Sequence, residues 1–140
     1  MGRFVWSEKY SVGVKEIDEQ HKYFIDLLDR ADELLKQKNP NSGADDIVKE
    51  LEAYARKHFD TEEKFLKSIN YNKILEHSIE HLKLLEKTNL LYDGVLVGKV
   101  KLRDVVDFLE DWLDHHLLTF DKEYADFIKK KNSKKRFIIF

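Results

Sequence analysis

The 140-residue chain has no cysteine, one proline and five glycines, and each shortage excludes something. Without cysteine there are no disulfides, no thiolate metal sites and no cysteine nucleophile. Any metal must be held by imidazole or carboxylate. Proline and glycine are the residues helix interiors tolerate least. Their scarcity, beside 37% charged and 42% hydrophobic residues, predicts an all-α fold. No charge of one sign dominates: 25 Lys+Arg against 27 Asp+Glu leave a net charge of -2, which argues against nucleic acid or an anionic membrane as the main partner. Long apolar runs are missing too. Nothing approaches the ~18 apolar residues of a membrane span, and the opening MGRFVWSEKYSVG lacks a signal-peptide core. A cytoplasmic protein with no stable membrane insertion and no nucleic-acid partner is expected.

Turn formers divide what remains. Asn39-Pro40-Asn41-Ser42-Gly43, Asn70-Tyr71-Asn72 and the stretch from Asp93-Gly94 to Gly98 are the punctuation, and they leave four helical stretches. Ile17, His21, Phe24, Leu28, Ala31 and Leu35 recur in steps of four and three, the spacing of one buried helix stripe. The second stripe holds Ile47, Leu51, Tyr54, His58 and Phe65, and the third Ile74, His77, His81, Leu84 and Leu91. The fourth holds Leu102, Val105, Leu109, Trp112, His116, Phe120, Tyr124 and Phe127. Short connections make sequence neighbours antiparallel, so an antiparallel up-down-up-down four-helix bundle is expected over residues 1–128. Trp6, Tyr10, Val12 and Val14 have no helical period and predict an extended N-terminal arm covering an end or groove. Residues 129–140, KKKNSKKRFIIF, read as a basic and apolar C-terminal tail that favours a helix C-terminus or docks on a partner or membrane surface.

Antiparallel packing brings five core histidines to one end of the bundle. His21 lies about two turns into its helix and His58 two to three turns before the end of the next; His77, His81 and His116 fall at the same level by the same count. Two carboxylates join them, since Glu62 follows His58 by four and Asp121 follows His116 by five. A spacing of four puts both side chains on one helix face, one turn apart, where they can share an ion. One core histidine is ordinarily bonded to a carbonyl. Five at one level are different, because each buried imidazole without a partner costs about 1–3 kcal/mol and a buried unpaired carboxylate costs more. Imidazole and carboxylate without thiolate suit iron, zinc, copper or manganese rather than calcium. Seven donors are too many for one ion that keeps an open position, which suggests a pair. A set this rich in imidazole is not the carboxylate-dominated di-iron site of ferritin-type bundles.

WSEKYSVGVKEIDEQH ending at His21, HFDTEE from His58, HSIEH from His77 to His81 and WLDHHLLTFD from Trp112 to Asp121 together resemble the signature of the hemerythrin family. The likeness covers Trp6 to Phe127, and the length and tryptophan-bearing arm resemble its single-domain bacterial members. The resemblance implies two Fe ions per chain with an oxo or hydroxo bridge, binding dioxygen reversibly for storage, delivery or sensing. It implies that His77, His81 and His116 hold one iron and His21 and His58 the other. Glu62 and Asp121 would bridge both, with the open position on the His21/His58 iron. It also places Leu113 and Leu117 at the wall of the oxygen pocket. An oxygen-consuming protein is a candidate partner. No enzyme activity is expected, because no spare inward-facing acid accompanies the site apart from Glu63. A di-iron redox enzyme acting on peroxide or nitric oxide is the alternative, and a structural, zinc-holding bundle the third reading.

Some residues fit less simply. On a regular α-helix His116 and Asp121 would diverge by ~140°, so a π-bulge is predicted between them, a distortion common at functional sites. His115 sits ~100° round the helix from His116 and is expected to be exposed or to stand behind a ligand. Glu63 is expected to be solvated or to support a ligand. Tyr54 and Tyr124 are expected to be packing residues with satisfied hydroxyls.

Overall fold

A computed structural model describes residues 5–37 and 44–138, with side chains for all of these except 44, 45 and 133–138. The turn expected at 39–43 and the last two residues of the tail lie outside the described residues. The helices are α1 (Lys15–Leu35), α2 (Ala44–Ser68), α3 (Ile74–Leu96), α4 (Leu102–His116) and α5 (Lys122–Ile138), with a π-helical turn, Leu117–Asp121, between the last two. The backbone stays right-handed helical at Leu117 and Lys122, so α4, the π turn and α5 form one continuous fourth helix. α1 packs on α2 and α4, and α3 packs on the same two. The result is a four-helix bundle in which sequence neighbours are space neighbours. None of the helices is long and apolar enough to cross a membrane, among the described residues.

The core is not one body. A large apolar cluster includes Phe24, Leu27 and Leu28 of α1, Leu51 and Ala55 of α2, Leu84 of α3 and Val105, Val106 and Leu109 of α4. A smaller one holds Val12, Ile17, Leu66, Tyr71, Tyr124 and Ala125. Along α1 and α3 the chain passes from the small cluster to the large; along α2 and the fourth helix it passes back. That alternation is the antiparallel arrangement expressed in side chains. Between the clusters, on every helix, sit the histidines and carboxylates. They therefore lie one apolar layer in from the end of the bundle, beneath a cap made by the small cluster. Each fully buried leucine of the large cluster, such as Leu28 at 0% exposure, contributes about 1.5–3 kcal/mol relative to an exposed one.

Local signals explain the helix ends. α2 stops at Asn70, which adopts φ 55°. The Tyr71 amide donates to the Leu66 carbonyl at 3.0 Å and the Asn70 amide to Lys67 at 3.1 Å, a Schellman motif whose apolar contact is Leu66 with Tyr71. The second turn was thus correctly placed by its asparagines. The third was not: α3 continues through Asp93 and Gly94 to Leu96, and the chain reverses at Gly98, φ 77°. Gly94 is needed for closeness rather than for turning. Its carbonyl accepts from Lys99 at 2.8 Å and Val100 at 3.1 Å, and a Cβ there would stand 2.4 Å from Val100 Cγ2.

The N-terminal arm is extended except for a 3-10 turn, Glu8–Tyr10, and a bend at Gly13, φ 77°. Tyr10 enters the large cluster and Val12 the small one, so the arm passes the level of the donors on the outside. Tyr10 donates its hydroxyl to Asp114 Oδ1 at 2.6 Å. Asp18 accepts from Ser11 Oγ at 2.5 Å and from the Val12 amide at 2.9 Å. At the other terminus the α5 backbone stays helical from the domain into the tail, and Lys131 donates to the Ile69 carbonyl at 2.7 Å.

Candidate metal centre

Four helices each deliver part of one buried donor layer: His21 from α1, His58 and Glu62 from α2, His77 and His81 from α3, and His116 and Asp121 from the fourth helix. None is more than 3% exposed. The pairs on α2 and α3 share a face because they are four residues apart. His116 and Asp121 are five apart, and the π turn that begins at Leu117 absorbs the extra residue, as the sequence had required. His116 Nε2 and Asp121 Oδ1 come within 3.1 Å.

The nitrogens and oxygens fall into two sets. Glu62 Oε1 is 2.7 Å from His77 Nε2 and 3.0 Å from His81 Nε2, while Asp121 Oδ1 is 3.1 Å from both His77 Nε2 and His116 Nε2. The other oxygen of each carboxylate faces the opposite way. Glu62 Oε2 is 3.5 Å from His21 Nε2 and 3.4 Å from His58 Nε2, and Asp121 Oδ2 is 3.3 Å from His21 Nε2. His21 and His58 meet Nε2 to Nε2 at 2.9 Å. Donors about 3 Å apart are what neighbouring ligands about 2.1 Å from a common ion show at right angles.

Hydrogen bonding leaves the layer incomplete. His21 Nδ1, His81 Nε2, both nitrogens of His116 and both oxygens of Asp121 are buried without a hydrogen-bond partner. Asp121 and His116 lie 3.1 Å apart without forming a hydrogen bond. Each such group costs about 1–3 kcal/mol of desolvation, more than a marginally stable domain tolerates several times over. Cations between the two sets would satisfy His81 Nε2, His116 Nε2 and both Asp121 oxygens, so the donor layer fits metal ions.

The electrostatics point the same way. Burial would raise the Glu62 carboxyl, but His58, His21 and His77 hold it well below the usual carboxylate range. For Asp121, burial and the neighbouring Glu62 push up, and His116 and His77 pull it below that range. Burial alone would lower the imidazoles of His21, His77 and His81, yet the two carboxylates leave all three raised. His58 is lowered by burial and by His21. In the ion-free chain, protons on imidazole supply positive charge that the carboxylates demand.

A further ring of contacts fixes the imidazoles. His58 Nδ1 donates to Gln20 Oε1 at 2.7 Å, and His81 Nδ1 to Glu63 Oε2 at 2.9 Å. Ser78 Oγ holds Glu63 from the other side at 2.8 Å. A proton on Nδ1 leaves the Nε2 lone pair facing the centre. Tyr124 donates its hydroxyl to Glu62 Oε2 at 3.0 Å. His116, whose ring has no hydrogen bond, stacks on Trp112 at 4.3 Å and Phe120 at 5.5 Å, and Phe59 stacks on the hydrogen-bonded His81 at 3.8 Å.

All seven donors expected from the sequence come together. His115 is exposed. Leu113 and Leu117 are buried in the large apolar cluster. Glu63 supports His81, and Tyr124 packs with its hydroxyl satisfied, as the sequence suggested. Gln20 was missed. It adjoins His21 in sequence but serves His58 on another helix, and nothing in a single chain's pattern announces that pairing. The Trp112, His116, Phe120 stack was present as two steps of four but had been read only as core.

Comparisons with known proteins agree with this layout. Residues 12–128 match the family model described as Hemerythrin HHE cation binding domain. A bacteriohemerythrin of Clostridium acetobutylicum is 33% identical over 129 residues, covering 88% of this chain and 99% of its own. One from Pseudomonas aeruginosa is 22% identical over 133 residues, covering 95% and 86%, and a hemerythrin-like protein of Naegleria gruberi is 25% identical over 122 residues, covering 86% and 90%. Among solved structures, a hemerythrin crystal structure of a leucine-to-alanine variant superposes with a TM-score of 0.82 at 25% identity, covering 90% of this chain and 97% of that one.

Proposed function

The chain belongs to the hemerythrin family, and from that premise we propose that it binds dioxygen reversibly at a non-haem di-iron centre, for storage, delivery or sensing of the gas. His77, His81 and His116 would hold one iron and His21 and His58 the other, with Glu62 and Asp121 each offering one oxygen to either set and an oxo or hydroxo group expected as the further bridge. One observation carries this reading: each buried carboxylate turns one oxygen toward the three-histidine set and the other toward the two-histidine set. When bound, the iron pair supplies the electrons and the open position that dioxygen needs.

The chain's own residues supply the rest. Gln20 and Glu63 keep His58 and His81 in the tautomer whose Nε2 is free to ligate. Trp112, Phe120 and Phe59 hold the rings by stacking. Leu113 and Leu117 belong to the apolar wall above the donors and exclude water, which limits stray protons. Tyr124 keeps its proton: burial, then Glu62 and Asp121, raise its pKa well above the ordinary tyrosine value. It holds the Glu62 oxygen rather than acting as an acid. Glu63 is engaged by His81 and Ser78. The polar groups around the donors are thus committed to holding them, which favours binding over turnover.

Metal analysis with visible spectroscopy is the test. Two iron atoms per chain are expected, with a charge-transfer band that appears in air and disappears when oxygen is removed. Irreversible oxidation in air, with sustained consumption of peroxide or nitric oxide, would establish the redox enzyme instead. Tightly bound zinc from iron-rich medium would establish the structural bundle.

A further inference from the structure

α3 carries two apolar stripes. His77, His81, Leu84 and Thr88 face the core, and about 180° round the helix Leu75, Ile79, Leu82 and Leu90 face outward. Three of these leucines are 65–66% exposed and Ile79 41%. Isolated surface leucines are ordinary, but four exposed apolar side chains along one helix face, interrupted by the exposed Glu86 between Leu82 and Leu90, mark an interaction surface. Nothing among the described residues covers it.

The charges beside the row indicate what does. One flank carries Glu76, Glu80, Lys83 and Lys87, acidic in the N-terminal half and basic in the C-terminal half. Such an order also suits the helix dipole, but it sets like charges four apart, which weakens an isolated helix. Within the helix the pairing is poor, since Lys83 Nζ reaches Glu80 Oε1 only at 3.9 Å. In an antiparallel pair related by a two-fold axis, a flank faces its own copy running the other way. Glu76 and Glu80 of one chain then lie beside Lys87 and Lys83 of the other. The same axis, passing near Leu82, sets Leu82 against Leu82 and Leu75 against Leu90, with Glu86 of each chain beside Ile79 of the other. The leucines and the flanking charges are self-complementary about one point, as an isologous interface requires.

We propose that the outer face of α3 is the interface of a homodimer, with the two α3 helices packed antiparallel across a two-fold axis near Leu82. A second copy of the chain is the occupant. The contact is small, so the dimer is a concentration-dependent one at the weak end of specific interfaces.

Sedimentation velocity on the iron-loaded full chain, from about 1 μM to about 500 μM, tests this. A reversible monomer–dimer equilibrium is expected, and Leu82→Glu should raise the dissociation constant at least ~30-fold, equivalent to ~2 kcal/mol, without loss of iron or helicity. Glu80→Lys and Lys83→Glu each place like charges across the axis and should each weaken the dimer about tenfold. Mixed in equal amounts, these two variants, at the half-buried Glu80 and the exposed Lys83, should restore it, because each then meets its complement. A monomer over the whole range, a dimer indifferent to Leu82→Glu, or a mixture no stronger than either single variant would overturn the proposal. So would a monomer that co-sediments with phospholipid vesicles through Leu82, which would assign the row to a membrane.

Discussion

The large apolar cluster and the donor layer are built on the same four helices in the same register, and they differ in whether the chain can satisfy them by itself. Leu28, Leu51, Leu84 and Leu109 need only one another. His21, His116 and Asp121 leave buried atoms with no partner. Even charge follows this division. Asp32, near the far end of α1, is buried but has cations built in: Arg103 donates to it and Lys36 lies 3.6 Å away. Glu62 and Asp121 have only imidazoles, so their positive charge is imported. At Asp32 one half of the bundle meets its buried charge from within, though Thr88 Oγ1 and Asp29 Oδ1 there lack a hydrogen-bond partner; the other half is completed by its ions.

The widest gap between the halves should open when iron is removed. A ligand at a thousand times its Kd stabilises the folded state by ~4 kcal/mol, and two ions exceed any single core residue. The ion-free chain should melt far below the loaded one, and hydrogen exchange should show lost protection around His21, His58, His77 and His116 before Leu28 and Leu84. His81→Ala should mimic part of this by losing iron, while His115→Ala retains the full complement. Equal iron loss from both would put His115 on the wrong face.

Truncation in the other half should behave differently. Leu28→Ala is expected to cost about 2–5 kcal/mol, by nearly the same amount with and without iron, because the residue shares no partner with the donors. Calorimetry on both forms reads the difference. Costs differing by more than about 1 kcal/mol would show that the halves are coupled and the division false.

The boundary between the halves can be probed at Leu117, which lies in the large cluster one residue from His116. Leu117→Asn should preserve iron loading and speed the loss of the oxygenated spectrum several-fold, by admitting water to a dry wall. A stability loss of core size with unchanged decay would make Leu117 packing alone.

How much of this was legible in the sequence depends on the range of the signal. His21, Phe24 and Leu28, or His77, His81 and Leu84, announce one buried face through steps of three and four, so the fold and the convergence of the donors were readable. Even the π turn was, because His116 and Asp121 could not otherwise meet. What periodicity cannot carry is which atom faces which across helices: the division of the Glu62 oxygens, the service of Gln20 to His58, the cap formed by Tyr71 over the donors. Gly94 was misread for a related reason. A glycine in a turn and a glycine under a returning loop look alike until Val100 is seen against it.

The smallest effect expected is at Asp32, and it tests whether charge in the far half is independent of the ions. Burial would raise this carboxyl, but the hydrogen bond and charge of Arg103, with help from Lys36, leave it below its ordinary value. A depressed folded-state pKa means that the ionised form is the stabilising one. Its contribution is fully present above the unfolded pKa of ~3.9 and is lost as pH falls through the lower folded value. Because the Arg103 side chain is 36% exposed, the pair should be worth only about 1 kcal/mol. Asp32→Asn should therefore be less stable than the parent by that amount at neutral pH, and the difference should close below the folded pKa. Acid also strips iron from its histidines, so the titration belongs in the ion-free chain, where the far half stands alone. A difference that persists unchanged in strong acid would mean that Asp32 acts by packing. One that appears only in the iron-loaded protein would mean that the two halves share their electrostatics, and the contrast between a built-in cation and an imported one would fail.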